Sequence, residues 1–193
     1  MRIIGVDEVG RGCLAGPVVA AAVLLDESAA KDLRLITLTD SKKMTKKQRE
    51  HADKIIREKA VAFGIGWVHP KEVDANGLTA AVQRAMEQAV ARIQVDYDQI
   101  IIDGNYNFLK SNPKAITLVK ADLSDVSVSA ASVLAKVARD AYMQEQATVY
   151  EGYGFEKHVG YGTAMHLAAL KFLGPCELHR KSVKPVAIVS TTI

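Results

Sequence analysis

Five short apolar runs, several of them rich in β-branched residues, are the feature of this sequence that most constrains its fold. A short segment containing three glycines separates the first two, so they can pair as an antiparallel hairpin. The later runs alternate with helical patterns, which is typical of parallel strands joined by helical crossovers. The runs cover residues 2–6, 18–25, 61–68, 99–102 and 115–119. This order predicts an α/β fold with a mixed sheet, in which an antiparallel meander precedes parallel strands.

Helical patterns fill the segments between and after these runs. Thr45 and Gln48 have the spacing of a capping box, which predicts a polar helix after them. Small apolar residues recur at helical spacing in the later segments. The first predicted helix runs from Thr45 to near Lys59, and the second begins after Gly77 and Thr79. The third runs from Val126 to near Ala147, and the fourth from Thr163 to near Gly174. The helix that Thr163 caps is expected to be the last.

Composition narrows the class of protein. The chain has 193 residues, of which 49% are hydrophobic and 24% charged, with a net charge of +3. These values predict one globular domain over residues 1–193 and exclude extensive disorder. The longest apolar run, Val18 to Leu25, is far shorter than the roughly 20 residues of a membrane span. Acidic residues interrupt the first apolar run, so no signal peptide is expected, and Cys13 and Cys176 are expected to be reduced thiols in a cytoplasmic protein.

Acidic residues follow three of the apolar runs directly. Asp7 and Glu8 come after the first run, Asp103 after the fourth and Asp122 shortly after the fifth. If the first and fourth strands are parallel neighbours, Asp7 and Asp103 lie close together, and Asp122 can complete the cluster. A single acid after a strand is more often a helix cap or a turn residue, so that alternative stays open for each.

Clustered carboxylates suit a divalent cation, because the cation offsets their mutual repulsion. Oxygen ligands without cysteine or histidine select Mg²⁺ or Mn²⁺. Two such ions roughly 3.5–4 Å apart can stabilise both the attacking and the leaving oxygen in phosphoryl transfer. Spacing alone does not say which reaction follows.

Eight sequence blocks follow one another in a fixed order along the chain. The blocks are Asp7–Gly12, Leu14–Val19, Asp40–Lys43, Ile102–Asn105, Val119–Asp122, Ser129–Asp140, Lys157–Thr163 and His179–Ser182. In content and order they resemble the ribonuclease HII family, and the resemblance runs from residue 1 to about residue 185, nearly the whole chain. One departure is Cys13, which stands where the family more often has proline, and only a small effect on the turn is expected.

The resemblance implies a fold and an activity. The fold is a ribonuclease H-like mixed five-stranded sheet flanked by helices, with a helical C-terminal part. The activity is that of a metal-dependent endonuclease that hydrolyses the RNA strand of RNA–DNA hybrids. It also implies incision 5′ to ribonucleotides embedded in duplex DNA, as in ribonucleotide excision repair, leaving 3′-hydroxyl and 5′-phosphate ends. A monomer that binds nucleic acid and no membrane is expected.

The resemblance also implies roles for individual residues. The catalytic carboxylates that bind Mg²⁺ or Mn²⁺ would be Asp7, Glu8, Asp103 and Asp122. The 2′-hydroxyl group of the ribonucleotide, the one feature that distinguishes RNA from DNA at a given position, would be contacted by the backbone of Gly10, Arg11 and Gly12. Tyr161 would pack on the sugar at the RNA–DNA junction.

Several further residues are candidates for contact with phosphate. The candidates are Ser41, Lys42, Asn76, His158, Lys136, Arg139, Arg180 and Lys184. Such contacts set affinity and orientation and carry no sequence preference. Asn76 could hold a phosphate, but an asparagine in a loop is more often a turn former. Asp140 could orient a metal ligand or pair with Lys136 four residues earlier, and the pair is favoured.

Three rival functions stay open on the sequence. The first is a ribonuclease HIII, a family with an additional N-terminal domain and usually lysine in place of Arg11. The second is a catalytically silent nucleic-acid-binding module, against which the intact carboxylate set argues. The third is a junction resolvase of the same fold, against which Gly10–Gly12 and Tyr161 argue. No replication-clamp motif is recognised after Val186.

Overall fold

The structure is a computed structural model that describes residues 1–37 and 44–191, with only the backbone described for 34–37. Ser41 and Lys42, two of the predicted phosphate contacts, therefore lie outside the described residues. The strands are β1 Ile3–Val9, β2 Val18–Leu24, β3 Ala62–Val68, β4 Gln99–Asp103 and β5 Ala115–Leu118. The helices are α1 Glu27–Thr37, α2 Lys46–Lys59, α3 Pro70–Ala91, α4 Val126–Val149, α5 Phe155–His158, α6 Ala164–Leu173 and α7 Lys184–Ser190, with a 3₁₀ turn at Ala121–Leu123.

The five strands form one mixed sheet in the order β3-β2-β1-β4-β5. The pairs β1–β2 and β2–β3 are antiparallel, whereas β1–β4 and β4–β5 are parallel. Val6 lies opposite Ile102, so the residues that follow them, Asp7 and Asp103, come to the same edge of the sheet. The predicted mixed five-stranded sheet is confirmed, as is the parallel pairing of the first and fourth strands.

Helices α3 and α4 cover the two faces of this sheet. One core joins Ile4, Ile100 and other sheet residues to Val82 and Met86 of α3. A second core joins β2 to Leu134 and its neighbours in α4, with α1 and α2 at its edge. Apolar residues therefore alternate across the strands and fill both faces, which is why the central strands read as almost continuously hydrophobic.

The backbone of α4 lies directly against β1 at Gly5. A Cβ atom at this position would lie 2.1 Å from both the carbonyl carbon of Ser127 and the nitrogen of Val128. Because carbon atoms pack at roughly 3.5–4 Å, only glycine permits this approach. The side chain of Asp125 caps α4 by accepting hydrogen bonds from the same two residues' N–H groups. The close approach fixes α4 against the strand that carries Asp7 and Glu8.

The C-terminal part is helical, as the resemblance implied, and has a small core of its own. That core contains Met143 of α4 together with Tyr153, Phe155 and Leu178. The expectation that the helix capped by Thr163 is the last was wrong, because α7 follows it and begins with a proline in its first turn. Proline lacks the N–H that is unsatisfied at a helix start, so the position suits it.

Two more elements differ from the sequence expectations. Helix α1 was not predicted; it begins after Asp26, whose side chain accepts a hydrogen bond from the N–H of Ala29. Helix α3 begins at Pro70 and continues across a kink at Gly77, where φ is 81°. The predicted helix after Gly77 is thus the longer part of a kinked helix. The capping box of Thr45 and Gln48 is confirmed.

Candidate metal and nucleic-acid site

Asp7 and Glu8 occupy the end of β1 in a largely buried setting. The Asp7 side chain accepts a hydrogen bond from Ser132 of α4, and its Oδ1 accepts another from the Glu8 N–H at 2.7 Å. Burial, followed by the charges of Glu8 and Asp103, raises the pKa of Asp7 to about 8. Burial also raises the pKa of Glu8, and the neighbouring Arg11 guanidinium opposes that rise. These carboxylates are held close enough to repel one another.

Asp103 ends β4 and connects the first two acids to the fourth. Its charge acts on both Asp7 and Glu8, which places all three at one edge of the sheet. Its Oδ1 accepts a hydrogen bond of 2.8 Å from the N–H of Ala121. That bond ties Asp103 to the 3₁₀ turn that contains Asp122. The predicted neighbourhood of Asp7 and Asp103 is confirmed, and Asp122 follows in the attached turn.

The site is not a preformed metal cage. Within residues 1–37 and 44–191, no three histidine, cysteine, aspartate or glutamate side chains converge at the spacing of metal ligands. The donor set still fits a hard divalent cation, since it consists of carboxylate oxygens, and burial followed by the neighbouring carboxylate charges raises the pKa of Asp7. A cation bound there would relieve the repulsion that burial makes costly.

The turn between β1 and β2 carries the residues predicted to read the ribose. Gly10 opens it with a φ of 93°, a conformation that disfavours any side chain. A Cβ atom at Gly12 would meet no protein atom within 4 Å, so the space beside that backbone is open. The Arg11 side chain is half exposed and donates a 3.1 Å hydrogen bond to Glu8. The turn therefore presents an accessible backbone next to the carboxylates.

Two buried arginines anchor this turn through hydrogen bonds to backbone carbonyls. The guanidinium of Arg139 donates to the carbonyls of Pro17, Val159 and Ala15 at 2.8–3.0 Å. The guanidinium of Arg180 donates to the carbonyls of Gly16 and Arg11 at 2.8–3.1 Å. Their side chains are 0% and 1% exposed. Both were candidates for phosphate contact, and this was wrong in the structure, because backbone carbonyls surround each group.

Tyr161 lies against the same turn. It forms an isolated antiparallel bridge with Cys13, and the N–H of Leu14 donates to the carbonyl of Gly160 at 2.9 Å. Tyr161 is 38% exposed, and the centre of its ring lies 5.6 Å from the Lys136 ammonium group. The structure thus brings Tyr161 and the Gly10–Gly12 turn together, although the two segments are distant in sequence.

The remaining candidates are placed differently. His158 is buried, with Nε2 2.8 Å from the Tyr153 carbonyl oxygen and Nδ1 accepting from the Gly160 N–H, so neither ring nitrogen faces a phosphate. Asn76 is exposed beside the kink in α3 and donates to the carbonyl of Glu72. Lys184 is exposed at the start of α7.

One smaller prediction is confirmed by the contacts: Lys136 and Asp140 form the predicted ion pair, with 2.8 Å between their charged atoms. His166 and His179 are packing residues, since they are buried and their Nε2 atoms lie 3.0 Å apart. Burial lowers the pKa of His179 to about 4.

Sequence reasoning missed one group beside the carboxylates. Tyr106 and Phe108 follow Asp103 in the β4–β5 loop and line, with Arg11 and Thr79, a cleft of about 430 Å³ that includes Asp103. The available signal was the alternation of two aromatic residues directly after the acid.

A family comparison decides between the possible interpretations of this site. The model of the family described as Ribonuclease HII matches residues 4–186. The chain belongs to the ribonuclease HII family. A ribonuclease HII from Synechococcus sp. (strain CC9902) is 44% identical over 181 residues, covering 94% of this chain and 91% of that protein. The solved ribonuclease H2 of Pyrococcus horikoshii OT3 has a TM-score of 0.85 and 26% identity, covering 100% of this chain and 98% of its own.

A more distant structure agrees in fold. Bst-RNase HIII in complex with Mn²⁺ has a TM-score of 0.77 at 18% identity, covering 100% of this chain and 70% of that chain. At that identity the likeness shows the fold alone. Ribonuclease HII proteins are metal-dependent nucleases with ribonuclease H activity on RNA–DNA hybrids, and this chain is an enzyme of that family. In the described part of the chain, no helix is both long enough and apolar enough to cross a membrane.

Proposed function

We propose that this ribonuclease HII incises duplex DNA on the 5′ side of an embedded ribonucleotide, besides cutting the RNA strand of hybrids, and leaves 3′-hydroxyl and 5′-phosphate ends. The observation that carries the proposal is the junction of the Gly10–Gly12 turn with Tyr161 beside the carboxylates. A site that distinguishes one ribonucleotide within DNA must contact its 2′-hydroxyl directly. This junction offers open backbone at Gly12 and a partly exposed tyrosine for that contact.

The proposed roles follow from position. Asp7, Glu8, Asp103 and Asp122 would hold divalent cations, Mg²⁺ or Mn²⁺, and the bound ions would supply the activated water and stabilise charge on the phosphate. Arg11 lies at the rim of the carboxylate site, where its guanidinium can contact a phosphate once it leaves Glu8. The backbone of the Gly10–Gly12 turn would orient the ribose. Incision at a lone ribonucleotide would begin its removal from DNA, and a monomer would suffice for all of these contacts.

The test is cleavage of a DNA duplex that contains one ribonucleotide, with Mg²⁺ or Mn²⁺ and with EDTA as the control. An all-DNA duplex and an RNA–DNA hybrid serve as comparison substrates. Metal-dependent cutting 5′ to the ribonucleotide supports the proposal. Cutting of the hybrid alone would instead indicate a ribonuclease HIII-like activity, and cutting of neither would indicate a silent binder.

A pair of variants on β4 tests the role of the carboxylates. Asp103→Asn should abolish cleavage while leaving the unfolding transition nearly unchanged. Asp98→Asn is the matched control, since Asp98 is an exposed acid just before the other end of the same strand, where it accepts a hydrogen bond from the N–H of Arg2. This control should cleave like the wild type. Normal cleavage by Asp103→Asn would refute the assignment.

A further inference from the structure

The β4–β5 loop carries the exposed Tyr106 next to residues that are buried or hydrogen-bonded. Phe108 and Leu109 are buried in the core on the α3 face of the sheet. Asn107 donates from its side chain to the carbonyl of Ala115 and accepts from the N–H of Leu109. Because these residues anchor the loop, Tyr106 is held in place although 45% of it is exposed. Its ring lies 4.7 Å from that of Phe108, between centroids.

Each ring of this aromatic pair has a cation close to it. The Lys110 ammonium group lies 4.6 Å from the centre of the Tyr106 ring, and the Arg11 guanidinium lies 5.7 Å from the centre of the Phe108 ring. The cleft that Arg11 and both aromatic residues line also contains Asp103, one of the carboxylates of the site. Protein surfaces that bind a nucleotide combine an exposed aromatic ring with nearby cations. The ring packs on the base or sugar, and the cations contact phosphate.

We propose that the cleft formed by Arg11, Asp103, Tyr106 and Phe108 takes one nucleotide of the substrate next to the cleaved phosphate, with Tyr106 packing on it and Lys110 contacting a flanking phosphate. This inference rests on the proposed function, because it assumes a nucleic acid lying across the carboxylates. The cleft volume of about 430 Å³ is in the range of small-ligand sites, about 300–1,000 Å³. The contact is independent of sequence, since every base and sugar offers an apolar surface.

A second lysine in the same loop, Lys114, provides a matched control for Lys110. Lys114 lies over the ring of Tyr97 at 4.8 Å, nearly the same geometry as Lys110 over Tyr106. That second pair lies at the start of β4 and β5, the opposite edge of the sheet from Asp103. Lys114→Gln therefore removes the same charge from the same loop, away from the proposed nucleotide.

The experiment measures binding without cleavage, by fluorescence anisotropy of a labelled duplex with one ribonucleotide in EDTA. Tyr106→Ala should weaken binding about tenfold, as loss of one base–aromatic contact does, and Tyr106→Phe should bind like the wild type. Lys110→Gln should reduce the slope of log affinity against log salt by about 0.9, the value for one lost phosphate contact. Lys114→Gln should leave that slope unchanged, and Tyr106→Ala should also leave it unchanged because tyrosine carries no charge.

Two results would overturn the inference: Tyr106→Ala binding within twofold of the wild type, or equal slopes for Lys110→Gln and Lys114→Gln. Thermal unfolding of each variant verifies that the fold is retained. Cleavage of the same duplex by the wild type with Mg²⁺ is scored separately. A wild type that does not cleave refutes the proposed function and leaves the binding result standing, whereas normal cleavage with unaffected Tyr106→Ala binding refutes this inference alone.

Discussion

Replacing Arg139 by methionine should destabilise the protein severely. The guanidinium is fully buried and donates three hydrogen bonds, to the carbonyls of Pro17, Val159 and Ala15. Methionine is also unbranched, but it ends two atoms short of the terminal guanidinium nitrogens and has no donor, so three buried carbonyl oxygens would lose their partner. Each buried acceptor left without a partner costs about 1–3 kcal/mol. Relief from burying a charge offsets part of that sum, and a net loss of about 3–5 kcal/mol is expected.

The assay is urea denaturation followed by far-ultraviolet circular dichroism, which yields the free energy of unfolding. Such a loss is large beside the total stability of about 5–15 kcal/mol that is usual for a domain. Lys31→Met is the matched control, because Lys31 makes an exposed ion pair with Glu27, four residues earlier on α1. It should cost about 1 kcal/mol or less. Arg139→Lys should retain most of the loss, since an ammonium group cannot reach three carbonyls in fork geometry.

The reasoning is refuted if Arg139→Met unfolds within about 1 kcal/mol of the wild type, the cost of an ordinary exposed ion pair. That result would mean that water or a rearranged chain satisfies the three carbonyls equally well. Cleavage provides a second readout, because the same bonds hold the turn that begins at Gly10.

Three further predictions concern packing, metal and pH. Gly5→Ala should cost about 1–3 kcal/mol or more, because its Cβ would lie 2.1 Å from the α4 backbone, whereas Gly12→Ala should unfold like the wild type in the same urea titration. With a pKa of about 8, the Asp7 carboxyl of the metal-free protein is protonated at pH 6. Its contribution to stability is therefore complete below the usual pKa of 3.8 and is lost as the pH rises through about 8. The rise in melting temperature on adding Mg²⁺ should therefore be larger at pH 8 than at pH 6, and Asp7→Asn should remove that difference. The buried His179 has a pKa of about 4 and is neutral in the folded protein at pH 7. The stability that it contributes is complete above about pH 6.5 and falls by up to about 3 kcal/mol as the pH falls toward 4. An unfolding series from pH 7 to pH 4 in which His179→Gln loses stability as steeply as the wild type would contradict this.

The sheet and its acids were predictable because they depend on short-range signals. Apolar runs give the strands, and the rule that parallel strands end at one edge brings Asp7 to Asp103. The buried arginines were not predictable, since arginine is usually exposed and the carbonyl partner at Pro17 lies 122 residues from Arg139. Helix α7 was missed because it has only seven residues, too few for a clear helical period.

The segment from Gly10 to Pro17, which includes the Gly10–Gly12 turn, is hydrogen-bonded to residues 160–180. This sets the order in which parts of the site form during translation. Arg180 contacts carbonyls 164 and 169 residues earlier, so the turn gains these bonds only after nearly the whole chain has left the ribosome. The strands that carry Asp7 and Asp103 are synthesised well before that point. A nascent chain would therefore possess its carboxylates before the turn that we propose reads the sugar is fully hydrogen-bonded, and the proposed discrimination between RNA and DNA would come after the catalytic carboxylates.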